Sequence, residues 1–68
     1  MGNGFIVYRG RGWEKRYFDH FYNGIPCVTN MQHHAMIFEH REMAEDVVKQ
    51  CEKYTGRKFE VLALTETE

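Results

Sequence analysis

The residues in this sequence best suited to chemistry are soft metal ligands: Cys27, His33, His34 and His40. Thiolate and imidazole groups of this kind suit zinc. Their spacing, Cys-x5-His-His-x5-His, is not one of the usual paired spacings of zinc sites, and adjacent histidines point to opposite sides of an extended chain. The histidines are therefore expected on the surface or in turns, with no metal and no other cofactor bound.

Covalent catalysis would need an activated nucleophile, and the sequence contains no serine. Cys27, near the histidine-containing loop, is the only candidate for a nucleophile paired with a base. A chain of 68 residues rarely forms a water-excluding cleft of the usual size. Gly2-Asn3-Gly4 precedes the first predicted strand and Gly10-Arg11-Gly12 is not followed by a helix start, so neither is a phosphate-binding loop. The chain is not expected to be an enzyme.

The most informative cluster interleaves basic and aromatic residues, namely Arg9, Arg11, Trp13, Lys15, Arg16 and Tyr17. These side chains could hold phosphates and stack on bases, but the same residue types are enriched at the centres of protein interfaces. In a purely structural alternative, Trp13 and Tyr17 pack under a helix and the charges only solvate a strand. The net charge is -1, whereas phosphate-dependent binders usually carry a positive excess. These six residues are therefore predicted to bind a protein partner, with nucleic acid as the alternative.

The stretch that organises the chain runs from Ala35 to Gly56. It is predicted to be a short apolar strand over 35–38 followed by an amphipathic helix. Glu39 or His40 must serve as the N-cap, and Gly56 is well placed to end the helix in a left-handed conformation. The apolar stripe of the helix comprises Met43, Ala44, Val47, Val48, Cys51 and Tyr54. This pattern predicts a surface helix with one buried face.

Alternation of apolar and polar residues predicts the remaining strands. Glycines at positions 10 and 12 indicate a tight hairpin, and Tyr22-Asn23-Gly24 indicates a second turn. A strand over 58–64 is apolar on both faces and is therefore expected at the centre of the sheet. The other predicted strands cover 5–8, 13–21 and, as a short edge strand containing Pro26, 25–29. The polar stretch 30–34 is expected to be a loop that carries specific function.

Together these elements predict one α+β domain over residues 1–68, in the order β-β-(β)-β-α-β, with a polar tail over 65–68 that frays. A small antiparallel or mixed sheet of three to five strands carries the helix on one face. A single helix covers only one face, so Leu62, Leu64 and either Tyr17 or Phe18 are expected on an uncovered one. That face could form a homodimer or be kept for a partner.

The two cysteines lack a C-x-x-C spacing, and the sequence shows neither a leader-like apolar region nor a membrane-spanning run. Cys51 lies on the apolar stripe of the helix and is expected to be a buried, unreactive thiol. These features predict a reduced cytoplasmic protein without a disulfide bond.

The chain resembles small accessory proteins of tailed phages and prophages. The resemblance rests on an aromatic second strand followed by A-x-x-F (Ala35, Phe38), E-x-A-E (Glu42, Ala44, Glu45) and F-x-V-x-A-L (Phe59, Val61, Ala63, Leu64). Some of these proteins are anti-CRISPR or other host-takeover inhibitors. The resemblance implies a protein in the host cytoplasm that binds and blocks a host or defence complex. It carries over no functional residue, and a nucleic-acid-binding domain or an oligomerisation module are the alternatives.

Overall fold

The computed structural model describes residues 4–64, which form four strands, one helix and two short 3-10 helices. The strands are β1 (Gly4–Arg9), β2 (Arg16–Tyr22), β3 (Ile25–Thr29) and β4 (Glu60–Leu64), and the helix is α1 (Arg41–Thr55). The 3-10 helices are Gly12–Glu14 and Gln32–His34. The sheet is antiparallel with the order β3-β2-β1-β4. The α+β prediction is confirmed, whereas the predicted tail over 65–68 lies outside the described residues.

The helix buries a narrower stripe than the sequence predicted. Ala44, Val47 and Cys51 are buried against the sheet, but Met43 and Tyr54 are 51% and 59% exposed. These two side chains lie on either side of the helix face that contacts the sheet, and the small sheet does not extend far enough to cover them. The buried cluster on this side comprises Val7, Phe18, Phe38, Ala44, Val47, Cys51 and Phe59.

Backbone groups define both ends of the helix. His40 is the N-cap without a side-chain capping bond, although its carbonyl accepts from the Met43 N–H at 3.1 Å. Gly56 has a φ of 75°, which glycine adopts without strain, and its N–H donates to the Glu52 carbonyl at 2.8 Å. The predicted glycine stop is therefore confirmed.

The β2–β3 hairpin turns at Asn23-Gly24, where the sequence predicted a turn. Asn23 and Gly24 both have positive φ, at 52° and 79°, as a two-residue turn of the primed type requires. β3 covers the predicted residues and lies at one edge of the sheet. β4 lies at the other edge, so its predicted central position is wrong.

The predicted strand over 35–38 is reduced to one bridge between Phe5 and Phe38. β1 and β2 pair only at Tyr8↔Tyr17 and Arg9↔Arg16, so they diverge toward the other end of the sheet. The segment 36–38 fills the resulting gap. Its Met36 N–H donates to the Phe18 carbonyl at 3.0 Å, and Phe5 and Phe38 exchange two backbone bonds of 2.9 and 2.8 Å.

The same segment carries the chain from one face of the sheet to the other. Ala35 is buried on the face opposite the helix, together with Ile6 and Tyr17, whereas Phe38 belongs to the helix side. Tyr8, Leu62 and Leu64 pack half-buried around the Ala35 cluster. The second face is therefore not bare as predicted, because residues before the helix cover part of it. Within residues 4–64, no helix has the length and apolarity that crossing a bilayer requires.

Candidate functional site

The loop between β1 and β2 holds most of the predicted binding cluster. Trp13 was expected to begin a strand, but β2 begins only at Arg16 and Trp13 lies in the 3-10 helix Gly12–Glu14. The backbone of this turn is closed by Glu14 N–H to the Arg11 carbonyl at 3.2 Å and by Lys15 N–H to the Gly12 carbonyl at 3.1 Å. The loop is thus an ordered turn that replaces the predicted tight hairpin.

Gly10 is the residue that allows this turn to close. Its φ is +79°, and a Cβ at this position would lie 2.8 Å from the Glu14 carbonyl oxygen. Gly12 also has a positive φ, of +62°, but a Cβ there would meet no atom within 4 Å. Both glycines therefore adopt a positive φ, as predicted, and the missing Cβ of Gly10 also lets the Glu14 backbone approach closely.

Three of the six predicted residues line one groove, which we call the arginine groove. It has a volume of about 260 Å³ and is lined by Arg9, Trp13, Glu14, Arg16 and Arg57. Arg9 and Arg16 are direct cross-strand partners, an arrangement in which like charges repel. Within residues 4–64, no carboxylate oxygen lies within 4.0 Å of the guanidinium of Arg9, Arg16 or Arg57. The groove therefore concentrates positive charge.

Arg16 fixes the shape of the groove as well as its charge. Its Nη1 group donates to the carbonyl oxygens of Trp13 at 3.1 Å and Lys15 at 2.9 Å. These bonds tie the loop to the start of β2. A guanidinium has five N–H donors, so the Nε and Nη2 groups retain three for a ligand. Such a planar fork matches carboxylate or phosphate oxygens.

Trp13 is the most exposed large apolar side chain within residues 4–64, at 84%. The structural alternative, in which Trp13 and Tyr17 pack under the helix, is wrong for both residues. Tyr17 is buried on the opposite face, with Ile6 and Ala35, and Trp13 is left in solvent beside the arginines. An exposed indole beside three guanidinium groups has little structural use, which makes it a candidate contact residue.

Arg57 also lines the groove, although it was not among the six residues predicted to bind a partner. The Arg57 N–H donates to Thr55 Oγ1 at 3.1 Å, and the Phe59 N–H donates to Glu52 Oε2 at 2.9 Å. These bonds hold the connection between α1 and β4. Because Tyr8 pairs with Glu60, residues just before β4 lie near the end of β1, beside Arg9. Knowing this antiparallel pairing would have been enough to add Arg57 to the cluster.

The other predicted residues lie away from the groove. Arg11 is exposed in the loop, and Lys15 places its Nζ 4.6 Å from the ring centre of Tyr8 and 5.7 Å from that of Tyr17. The Tyr8 hydroxyl donates to Glu60 Oε1 at 3.0 Å, which raises the pKa of Tyr8 because the bond favours the protonated phenol, with burial adding to the effect. Lys15 and Tyr17 therefore support the sheet face opposite the helix.

The histidines and cysteines do not converge on a metal site within residues 4–64. His33 and His34 lie in a 3-10 turn and not in an extended segment, and their ring centres are 4.4 Å apart. Cys27 lies opposite His20 in the sheet, but its thiol donates to the Ile25 carbonyl at 3.7 Å. Both cysteines are free thiols.

Comparison of the chain with protein-family models gave no match, and neither did comparison with curated proteins or with solved structures. The arginine groove and the exposed Trp13 therefore have to be interpreted from their own geometry.

Proposed function

We propose that this chain is a small binding protein that inhibits or modulates a macromolecular complex by docking a protein partner on the arginine groove. The observation that carries the proposal is the position of Trp13, which is 84% exposed on an ordered loop beside three arginines. Tryptophan and arginine are the residue types that most often dominate interface energy. Because backbone and Arg16 bonds already hold the loop, little conformational entropy is lost on binding.

The charges of the groove indicate the chemistry of the partner segment. The three arginines would pair with carboxylates, and the Trp13 indole would cover an apolar side chain beside them. Glu14 also lines the groove, so it would disfavour a segment that is purely negative and favour one with a basic residue at a defined position. An acidic segment with one apolar anchor and one basic residue beside Glu14 therefore fits this site best.

Nucleic acid is the second candidate, because an indole beside guanidinium groups could stack on a base while the arginines hold its phosphate. The net charge of -1 favours the protein partner, since phosphate-driven binding draws on a wider positive surface. The two classes differ in salt dependence. For a phosphate-driven complex, log affinity falls steeply and linearly with log salt, whereas a complex anchored by Trp13 weakens less, because salt screens its charge pairs but not the indole contact.

The test compares three variants as bait for partners from the proposed bacterial host. Trp13→Ala and Arg57→Glu remove the apolar anchor and reverse one charge, while Tyr54→Ala removes an exposed aromatic residue on α1 as the matched control. For a hot-spot site we expect the first two to weaken affinity by about thirtyfold or more. The control should bind like the parent. Equal binding by Trp13→Ala and the parent would remove the arginine groove from consideration.

A parallel titration with random-sequence DNA and RNA decides between the two candidates. At physiological salt we expect no binding of either at micromolar protein. Micromolar binding that weakens linearly with log salt would replace the protein partner with nucleic acid.

We further propose that the protein acts in a reducing cytoplasm, that of the host if a phage encodes it. Cys27 and Cys51 are free thiols, as such a compartment maintains them, and the resemblance to phage accessory proteins agrees with an inhibitory role.

A further inference from the structure

The two edges of the sheet are unequal. The β3 edge contains Pro26, which cannot donate a ladder hydrogen bond, and its register against β2 shifts between Phe18 and His20. Proline and irregular pairing are two of the devices by which edge strands avoid pairing with other chains. β4 has neither device. Its five residues pair with β1 in continuous register, and no strand within residues 4–64 pairs with its opposite side.

We propose that β4 is a self-association edge, on which β4 of a second copy pairs antiparallel about a two-fold axis at Leu62. The result is a continuous eight-stranded sheet. This inference is independent of the arginine groove and of the function proposed for it. A two-fold axis perpendicular to the sheet uses the same edge of both copies and leaves both helices on one side.

The register follows from the length of the strand. Centring the pair on Leu62 matches all five residues, with Glu60 opposite Leu64 of the partner subunit and Val61 opposite Ala63 of the partner subunit. Leu62 and Leu64 are half-buried on the face opposite the helix, and Val61 is half-buried on the helix side. The contact would therefore extend both apolar faces, and aliphatic cross-strand neighbours stabilise such pairing.

The charges around β4 favour a second copy in this orientation. Arg57 and Lys58 precede the strand, and Glu60 begins it. Antiparallel pairing sets these charges of the two copies at opposite ends of the paired strands. A parallel pair would place like charges side by side.

Sedimentation over about a hundredfold range of concentration tests the association, because the dimer fraction of a weak pair depends on concentration. Ala63 is exposed, so Ala63→Lys leaves the core intact while placing a blocking lysine on the β4 edge. Ile25→Lys introduces the same exposed charge on β3 as the matched control. We expect dimers for the parent and for Ile25→Lys, and at least about tenfold weaker association for Ala63→Lys. Parent protein that stays monomeric up to about millimolar concentration overturns the proposal.

Cross-linking tests the register. In a Cys27→Ser background, Leu62→Cys would place two thiols directly opposite at the axis, within the Cα separation of about 4.4–6.8 Å that a disulfide needs. The matched control, Ala63→Cys, would place its thiols on a diagonal of about 7–8 Å and cross-link poorly. We expect oxidation to give a covalent dimer for Leu62→Cys and little for Ala63→Cys, with circular dichroism confirming that both variants fold. The reverse pattern, or no cross-link at either position, overturns the proposed pairing.

Discussion

Cys51 lies in an apolar environment that the unfolded chain does not provide. Its side chain is fully buried between α1 and the sheet. Burial raises the pKa of the Cys51 thiol from 9.0 to about 11, and the neighbouring Glu52 carboxylate adds to the increase. The thiol therefore acts as a small apolar group, as its place on the helix stripe predicted, and it is a poor nucleophile at neutral pH.

This pKa predicts a loss of stability at alkaline pH. The folded state keeps the Cys51 proton up to about 11, whereas the unfolded chain releases it near 9.0. The contribution is therefore complete below pH 9.0 and decreases as the pH rises toward 11. Urea unfolding at stepped pH should show the free-energy difference between the parent and Cys51→Ala shrinking over this interval. The variant serves as the control for Tyr8 and other groups that titrate there, and a constant difference would contradict the assignment.

Among the candidate site residues, chemical type could be predicted from the sequence but position could not. The exposed Trp13 and the paired Arg9 and Arg16 were within the predicted cluster, because aromatic and basic side chains alternate there. Tyr17 and Lys15 lie on the sheet face opposite the helix. Trp13 is separated from them because β2 begins only at Arg16 and Trp13 precedes it. Arg57 is distant in sequence and joins the groove only through the pairing of β4 with β1.

At the scale of elements, the helix and the β2–β3 hairpin could be predicted from local sequence signals, whereas the strand order could not. Gly56 and the Asn23-Gly24 turn need positive φ, which the sequence shows directly. β4 was predicted to be central because both of its faces are apolar. It is an edge strand whose second face packs with the cluster around Ala35, and this contact is not visible in a local pattern.

The packing of α1 on the sheet predicts which truncations destabilise the fold. Val47 and Phe59 are both buried in the helix-side cluster. Val47→Ala and Phe59→Ala should each reduce the free energy of unfolding by on the order of 1–5 kcal/mol, through lost burial and an unfilled cavity. Met43→Ala is the matched control, since Met43 lies on the same helix but is 51% exposed and should change stability by less than about 0.5 kcal/mol. Thermal and urea unfolding measure all three, and parental stability of both core variants would exclude this packing.

For the molecule as a whole, the segment 36–38 joins the two hydrophobic clusters. It occupies the gap where β1 and β2 diverge and brings the chain from the Ala35 side to the helix side. Gly4 permits this passage, because a Cβ there would lie 2.7 Å from Ile37 Cγ2 and 3.2 Å from the Phe38 carbonyl oxygen. The two faces should therefore unfold together.

A double-mutant cycle tests this contact. Gly4→Ala should destabilise the protein by about 1–3 kcal/mol through overpacking against the segment. Ile37→Ala removes the Cγ2 atom, so the cost of Gly4→Ala should fall by at least about 0.5 kcal/mol in that background. The cycle of Gly4 with Ile25, an exposed isoleucine on β3, should show additive effects. If the effects of Gly4→Ala and Ile37→Ala on the free energy of unfolding were additive as well, the proposed contact between Gly4 and Ile37 would be excluded.

The exposure of Trp13 also determines the tryptophan fluorescence of the protein. It is the only tryptophan in the chain, and its indole is in contact with water in the folded state. Its emission therefore changes little when the chain unfolds, so fluorescence is a poor probe of stability for this protein. A partner that covers the indole would shift the emission to shorter wavelength. Trp13 fluorescence can therefore serve as an intrinsic probe of binding, whereas circular dichroism is the better probe of folding.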